Sequence, residues 1–198
     1  MSHPEKNMTE TESIQLITSM INKAKNRFSE TGILYIFWGW LIFLCCIVQF
    51  IALYFFNNQN AYYIWYLTWL APIYQVIYLR KRKKKRAART YTGEITSYVW
   101  LVFMICTTLL VFILIYFKLY QGINPAVLVM YGMPTILSGV ILKFNPLKFG
   151  GACCWLLSIA AVLTDYQFQL LLIALAVVIA WIVPGYLLKA KFKNENLV

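Results

Sequence analysis

The chain is poor in charge, and poorest in negative charge: of 198 residues only 7 are Asp or Glu, and there is a single His. Charged residues make up 13% and hydrophobic residues 61%, against roughly 25% and 45–50% in soluble domains. A water-soluble fold of this length has too few polar side chains to cover so much apolar surface. The composition therefore places the chain in a membrane.

The same scarcity removes chemistry. Glu5, Glu10, Glu12 and Glu195 lie in the tails, and only Glu30, Glu94 and Asp165 remain, each near the end of an apolar stretch. Hydrolysis or group transfer needs a positioned base, a nucleophile and something to hold developing charge. HExxH, GxSxG, a phosphate-cradling glycine loop and an intramembrane aspartate pair are all missing. Cys153 or Cys154 would be a nucleophile with no in-span His or carboxylate to activate it, so no catalytic residue is assigned and the chain is not expected to be an enzyme. Without Asp, Glu or His in the apolar stretches, a proton-coupled transporter is also disfavoured.

Cysteine gives as little. Cys45, Cys46, Cys106, Cys153 and Cys154 all fall in apolar stretches, where a thiol is a small apolar filler. An odd number there argues against a disulfide framework. Two vicinal pairs, with His3 far away in the N-terminal tail, make a poor ligand set. Neither a metal nor a cofactor is expected.

What is present is a succession of six apolar runs, each close to the length that crosses a hydrocarbon core of roughly 30 Å. They are Ile33 to Phe56, Ala61 to Leu79, Ser97 to Phe117, Pro125 to Leu142, Pro146 to Leu163 and Phe168 to Leu188. Apart from Lys148 near the start of the fifth, none holds an internal charge or His. Asn124 before Pro125 and Asn145 before Pro146 read as helix starts, with Asn as N-cap and Pro in the first turn. The fifth run is the weakest, because GGACCW and Ser158 dilute it. The expected fold is all-α and polytopic, with six transmembrane helices.

Positive charge is concentrated. Arg80, Lys81, Arg82, Lys83, Lys84, Lys85, Arg86 and Arg89 put eight cations into ten positions between the second and third runs. With both termini in the cytoplasm, 17 of the 18 Lys and Arg fall inside and only Lys118 outside, which satisfies the positive-inside rule across all six alternations. Juxtamembrane cations beside anionic headgroups are each worth about 1 kcal/mol, so the run reads as a lipid and topology anchor. Nucleic-acid binding would need aromatic platforms or a groove-reading helix beside the charge. Tyr78 and Tyr91 belong to helix ends instead, and no nucleic acid is expected.

The first thirty residues lack the apolar centre and cleavage site of a secretory signal. Thr9 and Glu12 have capping-box spacing, and Ile14, Ile17, Ile21, Ala24 and Phe28 recur at helical steps with Lys23, Lys25 and Arg27 off the stripe. This amphipathic helix over residues 8–30 either lies on the inner leaflet or the basic loop, or docks a cytoplasmic protein.

Three sequences place an aromatic residue three positions before a proline: WLAP ending at Pro72, YGMP ending at Pro134 and WIVP ending at Pro184. Proline kinks a helix and frees a carbonyl. Pseudo-equivalent kinks would set all three at one depth around a central cavity. Pro184, however, is only about 7 to 8 Å of helix from Lys189, so the expectation is that the repeat fails, with Pro184 as the odd member, and that the centre is largely closed. Gln49, Gln75, Thr107 and Thr108 are expected to bond between helices.

Gly150, Cys154, Ser158 and Ala161 form a small-residue stripe in the fifth run, with Ala176 and Ala180 as a weaker counterpart in the sixth; the pattern predicts close helix packing. Tyr62, Tyr63, Trp65, Tyr120 and Tyr166 read as an interfacial aromatic belt.

SIQLITSMINKAKNRF, FWGWLIF from Phe37 to Phe43, and YTGEITSYVWLVF from Tyr91 to Phe103 resemble a family of small, uncharacterised six-span bacterial membrane proteins. Its members are often encoded beside a winged-helix regulator and have no known activity. The resemblance covers the first half of the chain. It implies an inner-membrane location and a regulatory setting, and no site residue. The function expected is interaction or regulation, the alternative being a transporter or channel for an uncharged or lipid-like solute.

Overall fold

In the computed structural model, which describes residues 10–83 and 91–194, every element is helical. Helix α1 spans Glu10–Tyr54, α2 Tyr66–Lys83, α3 Tyr91–Tyr116, α4 Ile123–Ile141, α5 Asn145–Val162, α6 Tyr166–Val177 and α7 Val183–Asn194. Short 3₁₀ segments at Gln59–Trp65 and Tyr120–Gly122 precede α2 and α4, and a π-helical segment at Val178–Ile182 joins α6 to α7. Among the described residues, five stretches are long and apolar enough to cross a membrane: Gly32–Tyr54, Ile95–Tyr116, Tyr120–Ile141, Asn145–Val162 and Tyr166–Lys191. The molecule is an all-α, multi-pass membrane protein.

The amphipathic segment and the first apolar run are one helix. α1 continues without a break for 45 residues, about 67 Å at 1.5 Å per residue. Thr9, the expected cap, lies outside the described residues.

The second run is the one that departs from expectation. The left-handed Asn57, with φ 45°, ends α1, and Asn58 Oδ1 accepts from the Asn60 N–H at 3.0 Å to open a 3₁₀ segment. α-Helix begins only at Tyr66. The apolar part of α2 up to Leu79 then covers about 21 Å, short of a full hydrocarbon core.

The fifth run, by contrast, is firmly helical and makes the most extensive helix pair in the molecule with α4. The glycines that dilute its hydropathy let the backbones meet. A Cβ on Gly151 would lie 2.9 Å from the Gly132 carbonyl oxygen, and one on Gly132 would lie 2.9 Å from the Gly151 carbonyl oxygen. Trp155 Nε1 donates to the Val129 carbonyl at 3.1 Å, and Ser158 Oγ donates to the Pro125 carbonyl at 2.8 Å. Neither Asn124 nor Asn145 caps its helix: α4 starts at Ile123 after Gly122, and α5 starts at Asn145 itself after Phe144. Pro146 does occupy the first turn, where its missing N–H costs nothing.

The remaining core is built on α1 and the α6–α7 rod. Gly32 and Gly185 face each other where α1 crosses α7, each carbonyl oxygen 3.0 to 3.1 Å from the place of the other's Cβ. Gly39, two turns on, accommodates Ile182. The π turn has a local cause: Pro184 cannot donate and its ring would press on the Ala180 carbonyl in a regular helix. The Val183 N–H instead reaches Val178 O, five residues back, and the widened turn makes room.

α2 and α3 lie at the margin. Among the described residues, Ala71 is the buried apolar residue of α2 and Phe103 that of α3, while Leu67, Leu70 and Ile73, and Leu101, Ile105, Leu109 and Phe112, are exposed. In a bilayer these are surfaces for lipid tails.

Candidate functional site

The centre of the bundle is an assembly of aromatic rings from four different elements. Tyr35 comes from α1, Trp100 and Phe103 from α3, Tyr131 from α4 and Trp181 from the π segment. Trp181 stands 4.7 Å from Tyr131 and 5.6 Å from Trp100 between ring centroids. Trp100 in turn stands 5.6 Å from Tyr35, edge to face, and 5.4 Å from Phe103, which reaches Tyr131 at 5.8 Å. Such geometries match positive ring edges to negative faces. The π turn matters because it rotates Trp181 relative to the regular helix on either side.

One polar chain runs through the rings. Trp181 Nε1 donates to Thr135 Oγ1 at 2.9 Å, and that hydroxyl donates to the Tyr131 carbonyl at 2.7 Å. A hydroxyl has one donor, so Thr135 spends it on its own helix and accepts from the indole. Beside this satisfied chain are two groups that are not satisfied. Tyr35 OH and Ser138 Oγ are both buried without a hydrogen-bond partner, although the tyrosine hydroxyl is directed at Ser138 and Trp100. A buried polar group left unpaired costs about 1–3 kcal/mol. The arrangement offers hydroxyls in an aromatic surround, which suits hydrogen bonding to neutral groups.

A second polar cluster lies at the end of the bundle where α1 stops. Trp65 Nε1 donates to Gln49 Oε1 at 2.6 Å, and Gln49 Nε2 donates to Tyr166 OH at 3.4 Å. Gln169 Nε2 reaches the carbonyls of Ala161, Thr164 and Gln121 at 3.0, 3.1 and 3.2 Å. This amide ties the α4 entry to the α5–α6 turn. Tyr62, Tyr63 and Tyr120 are exposed at the same end.

Two of the three aromatic-x-x-Pro sequences meet at the centre. Tyr131 and Trp181 are neighbours, and Pro134 and Pro184 are both fully buried. Trp69 is 64% exposed and Pro72 half-buried at the margin. The odd member is therefore Pro72, not Pro184, because α2 stands outside the core while α7 packs into α1. A three-fold repeat is not formed.

The stripe Gly150, Cys154, Ser158 and Ala161 is buried throughout. A Cβ on Gly150 would come 2.6 Å from Ala180 Cα and 3.0 Å from the Ile179 carbonyl oxygen, so α5 meets the π segment backbone to backbone; Ala176 is buried on the same rod. Both glutamines expected to bridge helices do so, Gln75 accepting from Trp38 Nε1 at 2.6 Å. The threonines do not. Thr108 donates within α3 to Met104 O, and Thr107 Oγ1 is buried without a partner.

No family model, curated protein or solved structure matches the chain. Of the basic run, Arg80, Lys81, Arg82 and Lys83 form the last turn of α2. Lys84, Lys85, Arg86 and Arg89 lie outside the described residues. The free thiols divide into buried Cys45, Cys46 and Cys154, half-buried Cys153 and exposed Cys106.

Proposed function

We propose that this is a six-span protein of the bacterial inner membrane, with both termini in the cytoplasm, that acts by engaging a cytoplasmic protein through residues 8–30. The observation that carries this reading is the continuity of α1. The amphipathic stretch and the first membrane segment are one rod, so whatever binds the former is mechanically joined to the α1–α7 crossing at Gly32 and Gly185. The basic bias and the resemblance to a family found beside transcription regulators support the same orientation and setting.

A photo-reactive amino acid placed singly at Ile14, Ile17 or Ile21 is expected to yield one cytoplasmic protein adduct in cells, while the same probe at Lys23 or Lys25 yields little. Equal labelling on both faces, or labelling of lipid alone, would remove the docking surface. For the topology, reporter fusions after Asn60, Ile123 and Asp165 should read periplasmic, and fusions after Arg89, Leu147 and Val198 cytoplasmic. A periplasmic reading at Val198 means an odd number of spans, and the short α2 is then the first to be withdrawn.

A second reading, transport of an uncharged or lipid-like solute, draws on the unpartnered Tyr35 and Ser138 hydroxyls beside the Pro134 and Pro184 helices. Uptake by proteoliposomes that is lost in Tyr35→Phe/Ser138→Ala would favour it. Uptake indistinguishable from empty liposomes would end it.

A further inference from the structure

Gln169, 1% exposed on α6, sets its Nε2 among four oxygens from two separate chain segments. The Ala161 carbonyl stands 3.0 Å away and the Thr164 carbonyl 3.1 Å, with the Gln121 carbonyl and the Gln121 Oε1 at 3.2 and 3.4 Å. An amide nitrogen carries two hydrogens, so two protons serve four acceptors. The other half of the same amide has the reverse problem: Gln169 Oε1 is buried without a hydrogen-bond partner, and its desolvation is uncompensated. Turning the amide over does not help, because it sets an oxygen against four oxygens. The ring offers more acceptors than a neutral amide can use.

A cation answers both deficits. Four oxygens at 3.0 to 3.4 Å from one point are spaced as a coordination shell, and a wide one. Magnesium and calcium need roughly 2.0–2.1 and 2.3–2.6 Å and are bound through carboxylates. The oxygens here are three backbone carbonyls and one amide, neutral ligands of the kind that replace water around potassium. Ala161 and Thr164 lie at the C-terminal end of α5, the negative end of its dipole, and Thr164 Oγ1 donates to the Ala161 carbonyl at 3.1 Å, fixing that turn. Asp165, the next residue, is exposed and does not cap α6 with its side chain, so a carboxylate stands beside the ring. Gln121 is also exposed and Thr164 half-buried, which opens the ring to solvent at this end of the bundle. Among the described residues no three His, Cys, Asp or Glu side chains gather to hold a metal, and this ring needs none.

We propose that Gln121, Ala161, Thr164 and Gln169 form a binding site for a monovalent cation of potassium size. The Gln169 nitrogen and the ion are alternative occupants of the ring: rotation of the side chain withdraws the nitrogen and turns Oε1 onto the ion as a fifth ligand. Binding then fastens the α4 entry to the α5–α6 turn more firmly than an amide with two hydrogens can. This is independent of protein docking on residues 8–30, and either can fail without the other.

The test heats the full chain in detergent while potassium chloride replaces N-methylglucamine chloride at constant ionic strength, which holds general screening fixed. The unfolding midpoint is expected to rise by about 3–5 °C at about ten times the half-saturating potassium concentration. Gln121→Leu, at an exposed position, should remove most of that rise, whatever it does to the midpoint in N-methylglucamine. Gln169→Glu keeps the shape and exchanges the nitrogen for an oxygen. At mildly alkaline pH it should unfold well below wild type in N-methylglucamine and recover most of the loss in potassium. A wild-type midpoint indifferent to potassium, or a full response in Gln121→Leu, overturns the proposal. So does a Gln169→Glu loss that potassium leaves unchanged, which makes the nitrogen a plain structural donor. Position is read from rubidium, an anomalous scatterer of similar size: in crystals of the wild type it is expected against the Ala161 and Thr164 carbonyls, and rubidium sites that all lie elsewhere overturn the assignment.

Discussion

Gly150→Ala is expected to destabilise the bundle by about 1–3 kcal/mol, the range seen when a filled core is overpacked. In an exposed helix the same change stabilises by close to 1 kcal/mol, because alanine has the better propensity. The opposite sign is argued from what the new methyl would touch: Ala180 Cα at 2.6 Å and the Ile179 carbonyl oxygen at 3.0 Å. Backbone cannot rotate away as a side chain can. α5 would have to retreat from the π segment along the whole buried stripe through Cys154, Ser158 and Ala161. Gly122→Ala is the control, since its nearest foreign atom is Leu114 Cδ2 at 4.0 Å. Thermal unfolding in detergent, read by loss of the monodisperse peak, should show a large drop for the first variant and almost none for the second. Equal behaviour of the two would mean that α5 and the rod are not in backbone contact.

Trp181→Ala carries the other large effect. The side chain is among the largest fully buried ones, it packs on Trp100 and Tyr131, and its N–H satisfies Thr135. Truncating a buried aromatic residue to alanine costs about 3–5 kcal/mol in water-soluble cores. In a bilayer the separated helices are also in an apolar medium, so the loss is one of dispersion and packing rather than hydration, and about 3 kcal/mol is the expected figure. Trp181→Phe keeps a ring and drops only the donor, which should cost about 1 kcal/mol. Unfolding midpoints ordered wild type, Phe, Ala, with the larger step between Phe and Ala, would match. If Trp181→Phe is as damaging as Trp181→Ala, the hydrogen bond rather than the ring pile holds the centre.

The sequence made the membrane class and most helix positions legible because a span is a one-dimensional property: enough apolar residues in a row. It failed where three-dimensional packing decides. GGACCW looked like a weak span because a hydropathy scan counts glycine as a loss, yet Gly150 and Gly151 are small so that two neighbours can touch α5 on different sides. The run from Ala61 was expected to span as one helix because its tyrosines and tryptophans count as apolar, yet Asn57 and Asn58 turn the chain into a 3₁₀ segment first. Which faces are buried was not legible either. A soluble helix shows its core side by alternation with polar residues, whereas α3 is apolar all round and Phe103 differs from Phe112 only in its neighbours. Gly32 and Gly39, seven residues apart, are a close-packing signal that was present in the letters.

The Gly32–Gly185 crossing gives α1 a fulcrum. Two bare backbones in contact can roll over one another more freely than interlocked side chains, and the arm beyond this point, from Glu10 to Thr31, is about 33 Å long. A tilt of about 10° at the crossing moves the tip by roughly 6 Å, a full helical pitch. On the opposite arm Gln49, about 26 Å from the crossing, bonds Trp65 and Tyr166, so the same tilt strains that junction by a smaller stroke. Load on the tip and geometry at the Gln49 junction are thus the two ends of one lever.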